Sequence, residues 1–272
     1  MFRRTLCVIL TSASLLQLPG PASAGPLKPV SSWDLDYGET QCLASRKYGS
    51  ADDPVTLGFR QSPNGNSYEI FVARRYRVSE PATEEQGTVD FGNGPINAWV
   101  LFYQTSNKQF DVHQFRISAA DMARARSATD IALHVSGSSD LAFELASMPQ
   151  LLDGLQACTT DLERYWNMDG KKGREFSRLS RGDVRSVFSA DDYPSEAISR
   201  GQEGKGQYLL LVDQKGKVAG CQVLTATGVP ILDAMACAVI QTRARFTPAL
   251  DMSGKPVRSA VVTPPINWQL SD

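Results

Sequence analysis

The chain has 272 residues, of which 42% are hydrophobic and 21% charged, and its formal net charge is -1. A near-neutral balance of that kind excludes a dedicated nucleic-acid or anionic-membrane binder, since both depend on a positive surplus. Five cysteines and only two histidines, with no Cys-x-x-Cys spacing, point to disulfide chemistry before metal chemistry, with a metal site as the rival reading.

Residues 1–24 read as a signal peptide. Arg3 and Arg4 precede an apolar stretch from Leu6 to Leu18, and Ala22-Ser23-Ala24 before Gly25 has the small-residue form of a cleavage site. The stretch falls short of the roughly 20 apolar residues of a membrane span. Phe2, Thr5 and Cys7 do not complete a twin-arginine signal, and Cys7 stands before the apolar region, where it cannot serve as a lipoprotein anchor. General export with release into the periplasm is the expectation. Loss of the leader discards Cys7 and leaves an even number of cysteines in an oxidising compartment. A mature chain of roughly 250 residues suits two modest domains.

Residues 31–166 read as a β-rich α+β domain. Strand patterns fall at Trp33–Tyr37, Val55–Arg60, Tyr68–Val72, Ala98–Tyr103, Phe110–Ile117, Ile131–Val135 and Leu141–Leu145. Pro63-Asn64-Gly65-Asn66 is a turn, because Asn and Gly tolerate left-handed φ. Ser118 caps a short helix through Asp121 to Arg126. A longer helix spans Pro149 to Trp166, with Leu151, Leu152, Leu155, Cys158 and Leu162 on one face. Residues 167–190 read as a polar linker rich in Lys171, Lys172, Arg174, Arg178, Arg181 and Arg185, with an electrostatic contact to an acidic envelope component as the sharper alternative.

From Asp191 the pattern changes. Tyr193-Pro194 opens a short helix that stops at Gly201. Two apolar runs, Gln207–Val212 and Val218–Leu224, flank the polar turn Asp213–Lys217, which predicts a hairpin. Apolar residues at 231, 232, 235, 239 and 240 predict a helix, with Asp233 in its first turn and Arg243 in its last, as the helix dipole favours. A last strand runs from Ser259 and is interrupted by Pro264-Pro265. Both helices are expected on one sheet face.

Tyr193, Pro194, Leu232, Asp233, Phe246 and Pro248, spaced as they are around that hairpin and helix, resemble the C-terminal domain of TonB over about residues 191–270. The resemblance implies an α+β chain in which an N-terminal β-rich secreted domain precedes a TonB-like domain, 191–272, with an antiparallel three-stranded sheet and two helices. In that fold Cys221, on the second hairpin strand, faces Cys237 on the following helix, and Cys42 and Cys158 remain for a bridge within the N-terminal domain. The resemblance also implies recognition by a sheet edge, to which an extended segment such as the TonB box of a receptor adds a strand. The matching edge here is Ser259, Ala260, Val261 and Val262, continuing beyond the prolines as Ile266, Asn267 and Trp268.

Reaction chemistry finds little support. His113 and His134 sit in strands, there is no Gly-x-Ser-x-Gly elbow, and Gly204-Lys205-Gly206 lacks the spacing of a phosphate loop. The paired acids Asp52-Asp53, Glu84-Glu85 and Asp191-Asp192 read as loop residues, and Ser136 to Asp140 as a hairpin turn. No enzyme activity, cofactor or metal is expected. A transducer of the TonB kind also needs an uncleaved membrane helix bearing a histidine and a long proline-rich arm. This chain shows neither, and Asp192 stands where the best-known transducers place a glutamine. The first expectation is therefore a periplasmic binding, scaffold or accessory protein that meets an envelope protein or peptide segment. The second is an energy transducer with an uncleaved leader. The third is an enzyme in the N-terminal domain tethered by the TonB-like module.

Overall fold

The computed structural model describes residues 25–62, 65–77, 80, 82–105, 107–136, 140–168 and 175–270. The leader, Pro63-Asn64 of the first turn, the centre of the Ser136–Asp140 turn and the Lys171, Lys172 and Arg174 cluster lie outside the described residues. Nine strands, β1 (Asp34–Tyr37), β2 (Cys42–Gly49), β3 (Pro54–Gln61), β4 (Ser67–Arg75), β5 (Thr83–Asp90), β6 (Ile96–Gln104), β7 (Phe110–Ser118), β8 (Asp130–Val135) and β9 (Leu141–Glu144), make one antiparallel sheet in the order β1-β2-β3-β4-β7-β6-β5-β8-β9.

One face of this sheet is apolar. Leu57, Phe59, Ile70, Val72, Phe115 and Phe143 line it, and helix α2 (Met148–Tyr165) covers it with Leu151, Leu152, Leu155, Cys158 and Leu162, all buried as the helical stripe required. The Cys42–Cys158 bridge joins β2 to α2 with a Cα separation of 5.9 Å. Helix α1 (Ala119–Met122), with a tighter turn over Ala123–Ser127, follows β7, and the Ser118 hydroxyl accepts the Asp121 amide at 3.0 Å.

The predicted strands are present, and two further ones flank them. β2 was not among the runs read from the sequence, and β5, with the sequence TEEQGTVD, contains the Glu84-Glu85 pair assigned to a loop. The pair lies in a strand, not a loop. Glu84 is buried on the sheet face opposite α2, where partners from the C-terminal unit satisfy its carboxylate, so its polarity signals a contact and not solvent.

In the C-terminal unit, β10 (Phe176–Arg178) and α3 (Ser195–Ser199) lead into β11 (Gly204–Val212), β12 (Val218–Thr225) and α4 (Pro230–Arg243). The chain ends in β13 (Ala249–Asp251), β14 (Pro256–Val257), β15 (Ser259–Val262) and β16 (Ile266–Trp268). β11 lies between β12 and β15, and β16 pairs with its N-terminal end. In continuous register with β15, Gly206 would face Pro265; it faces Ile266, so the third sheet position is one strand broken and shifted at Pro264-Pro265. α4 covers one face of this sheet, and Cys221–Cys237 ties β12 to it with Cα atoms 5.4 Å apart.

Within the span set down as a polar linker, residues 175–190 lie against the C-terminal unit. β10 pairs with β13, Arg181 bridges to Thr247, and Val184 is buried in the same apolar cluster as α4. Among the described residues no helix is long and apolar enough to cross a membrane.

Candidate functional site

The run Tyr208–Val212 is buried throughout because β11 is covered on both faces. Tyr208, Leu210 and Val212 pack beneath α4, while Leu211 belongs to the N-terminal core. The Asp213–Lys217 turn needs Gly216: its φ is 77°, and a Cβ there would stand 1.7 Å from the Phe246 carbonyl oxygen. The Phe246 amide in turn donates to the Gly216 carbonyl at 2.8 Å, which seats the chain after α4 on the hairpin turn.

The other motif residues form the frame around the same sheet. Tyr193 packs edge-on against Trp268 with ring centroids 5.3 Å apart and donates its hydroxyl to the Gln202 carbonyl at 2.6 Å. Pro194 sits at the start of α3, Leu232 is fully buried in α4, and Pro248 leads into β13. Asp192 accepts both Nη groups of Arg243, at 2.7 and 2.8 Å, and the Ser189 amide at 2.8 Å. The Arg243 guanidinium and that amide hold the Asp192 carboxyl below the usual range.

Asp233 is a buried acceptor. Its Oδ1 takes the Tyr208 hydroxyl at 2.9 Å and the Thr227 amide at 3.1 Å, and its Oδ2 stands 3.9 Å from Nη1 of Arg116 on β7. Burial raises its pKa, and the Thr227 amide, the Tyr208 hydroxyl and Arg116 offset this only in part. The motif acid thus ties the C-terminal sheet, its helix and the N-terminal sheet together.

β15 offers the open edge. Its pairing partner is β11 on one side, and among the described residues no strand lies on the other. The Thr263 amide donates inward to the Tyr208 carbonyl at 2.9 Å. By the alternation of an antiparallel ladder, Ser259 and Val261 also point inward, and Ala260 and Val262 direct N–H and C=O outward. Val262 is 53% exposed. Beyond the prolines the edge is of another kind: Ile266 and Trp268 are buried and Asn267 is exposed. The seven residues read as one edge therefore separate into an open strand and an anchored one.

His113 is half-buried on β7 with its ring against Phe102, and burial lowers its pKa. His134 is exposed on β8 and paired with Asp140. The two are on different strands and share no cluster. Among the described residues no group of three His, Cys, Asp or Glu side chains could hold a metal ion.

Sequence reasoning missed the charged cluster on the sheet face opposite α2. Arg60 on β3 donates to Glu69 on β4 at 2.6 Å and to Gln41 at 2.6 Å, and Arg116 donates to the other Glu69 oxygen at 2.9 Å. The signal was present as charged residues alternating with apolar ones in strands whose apolar face was already accounted for.

Residues 189–270 match the family described as Gram-negative bacterial TonB protein C-terminal. This part of the chain is similar to a TonB C-terminal domain. No curated protein matches the chain. The match begins at Ser189, the residue whose hydroxyl and amide both engage Asp192, and it ends two residues past β16. The TonB-type domain therefore includes the motif residues, the Cys221–Cys237 bridge and the open β15 edge, while the N-terminal sheet lies outside it.

Proposed function

We propose that this is a periplasmic binding or accessory protein whose TonB-type domain captures an extended segment of an envelope partner by adding it as a strand to β15. The outward-facing N–H and C=O groups of Ala260 and Val262 carry this reading, because among the described residues no strand pairs with them on an element otherwise fixed by β11. Val262 supplies an apolar contact beside them. Pro264-Pro265 lacks amide donors and limits the augmented strand to one side. Two disulfides suit an oxidising compartment, and the leader pattern supports export with a mature start at Gly25.

Titration of the labelled mature protein with a synthetic TonB-box segment tests the pairing. The Ala260 and Val262 amides should shift and gain protection from hydrogen exchange, and Val262→Pro, which removes one outward N–H, should abolish binding. Perturbation confined to β12, or unchanged binding by Val262→Pro, would sink the reading. Fractionation of the protein expressed with its own leader separates the accessory role from transduction: Gly25 at the N-terminus in the periplasmic fraction supports the former, and an intact Met1 in the inner membrane supports the latter.

A further inference from the structure

Between the N-terminal sheet and α4 lies a cleft of about 870 Å³. Its floor is the face of β3, β4, β7 and β6 opposite α2, and its wall is α4 with β12. We propose that this cleft binds a small organic anion with an apolar body.

The polar accounting gives the sign of the ligand. The two carboxylates of the cleft, Glu69 on the floor and Asp233 on the wall, are already engaged: Glu69 accepts from Arg60 and Arg116, and Asp233 accepts from Tyr208 and Thr227. A cation would find no free acceptor of full charge there. The donors are in surplus, since two guanidiniums share the single Glu69 carboxylate. Arg116 commits one Nη to Glu69, while the other stands 3.9 Å from Asp233, beyond a hydrogen bond. A guanidinium has five N–H donors in a planar fork matched to an oxyanion, and Arg116 keeps 29% of its side chain exposed to the cleft side of the sheet.

The size and lining give the rest of the ligand. A cleft of this volume is in the range that encloses a single small molecule. Trp99, which is 42% exposed, Tyr103 and Met235 offer ring and thioether surface beside the guanidiniums. An apolar body against these groups, with its anionic end at Arg116, satisfies both. The cleft shares no residue with the β15 edge.

The experiment is a fluorescence titration of the mature, disulfide-intact protein with 8-anilinonaphthalene-1-sulfonate and with its neutral parent, N-phenyl-1-naphthylamine. The sulfonate should bind at one site per chain, about tenfold or more tighter than the neutral dye, the factor a charge-assisted contact supplies. Arg116→Gln should weaken the sulfonate about tenfold and leave the neutral dye unchanged. Ala238→Trp places bulk in the cleft from an exposed position of α4 and touches no charge, so it should block both dyes while the far-ultraviolet spectrum stays the same. Val262→Pro should leave dye binding intact, which separates this site from strand capture. Equal affinity for the two dyes, or full binding by a folded Ala238→Trp protein, overturns the proposal, and the latter result stands even if Arg116→Gln does not fold.

Discussion

Glu69 accepts from two guanidiniums, whereas Asp233 has one guanidinium at 3.9 Å and two neutral donors, and the difference sets opposite pH behaviour within one network. Burial pushes the Glu69 carboxyl up, but Arg60 and Arg116 outweigh it and hold the carboxyl below its ordinary value of 4.5. A depressed folded pKa means that the unfolded chain binds the proton first, so this stabilisation is present above the ordinary pKa and is lost as pH falls through the folded one. Glu69→Gln should therefore cost about 2 kcal/mol at neutral pH, the scale of charge-assisted bonds lost from a partly buried site. Urea unfolding should show the gap to the parent protein narrowing as the solution is acidified below pH 4.5. Asp233 runs the other way. Its folded pKa is raised above 3.8, so the folded state holds a proton that the unfolded state has released, and stability declines as pH rises through that window. Asp233→Asn removes this decline. Melting temperature followed across pH should rise for the variant relative to the parent as pH passes above the ordinary carboxylate range, and a constant offset would contradict the assignment.

At the scale of elements, α2 and α4 were legible because their apolar spacing repeats at the helical period, and the hairpin at Asp213–Lys217 was legible because Gly216 marks the turn. β5 was not, since Glu84 faces the C-terminal unit while Gln86 on the same face is exposed, and together they give the strand the polarity of a loop. Spacing also gave the β15 edge but not its division, which depends on the register slip at the prolines and on Trp268 anchoring beneath Tyr193 and Phe188. The charged cleft was the least legible part, because it exists only once two distant segments face each other. The bridges rank the elements by how much chain they constrain. Cys42–Cys158 has a sequence separation of 116, and Cys221–Cys237 one of 16. Loop entropy assigns about 4.7 kcal/mol to a loop of the longer kind and about 3 kcal/mol to the shorter. The double replacement Cys42→Ser with Cys158→Ser should accordingly lower the denaturation midpoint more than Cys221→Ser with Cys237→Ser. The reverse order would mean that the N-terminal sheet retains its contacts in the unfolded chain.

For the whole molecule, the two units exchange core residues. Leu211 of the TonB-type domain is buried in the N-terminal cluster, and Leu101 of the N-terminal sheet is buried in the C-terminal one. Polar ties reinforce the exchange: Glu84 accepts the Ile231 amide at the start of α4, where a carboxylate also suits the helix dipole, and Arg200 donates to the Glu84 carbonyl at 2.9 Å. Gln222 reaches the Thr40 carbonyl at 3.0 Å, and the Arg258 guanidinium lies 4.1 Å from the centre of the Tyr165 ring. A sheet so held presents β15 from a rigid support, which lowers the ordering cost of pairing with a peptide. It also makes unfolding a joint event. Leu211→Ala empties a fully buried site between the units and should cost about 3 kcal/mol. Calorimetry of the parent should give a single transition, and the variant should shift that transition as a whole, with amides in α2 and in β11 gaining exchange rate together. A transition that splits in two, with the change confined to β11 and α4, would show that the contacts at Leu211, Leu101 and Glu84 do not couple the units, and the cleft between them would then lose the fixed geometry that its proposed ligand requires.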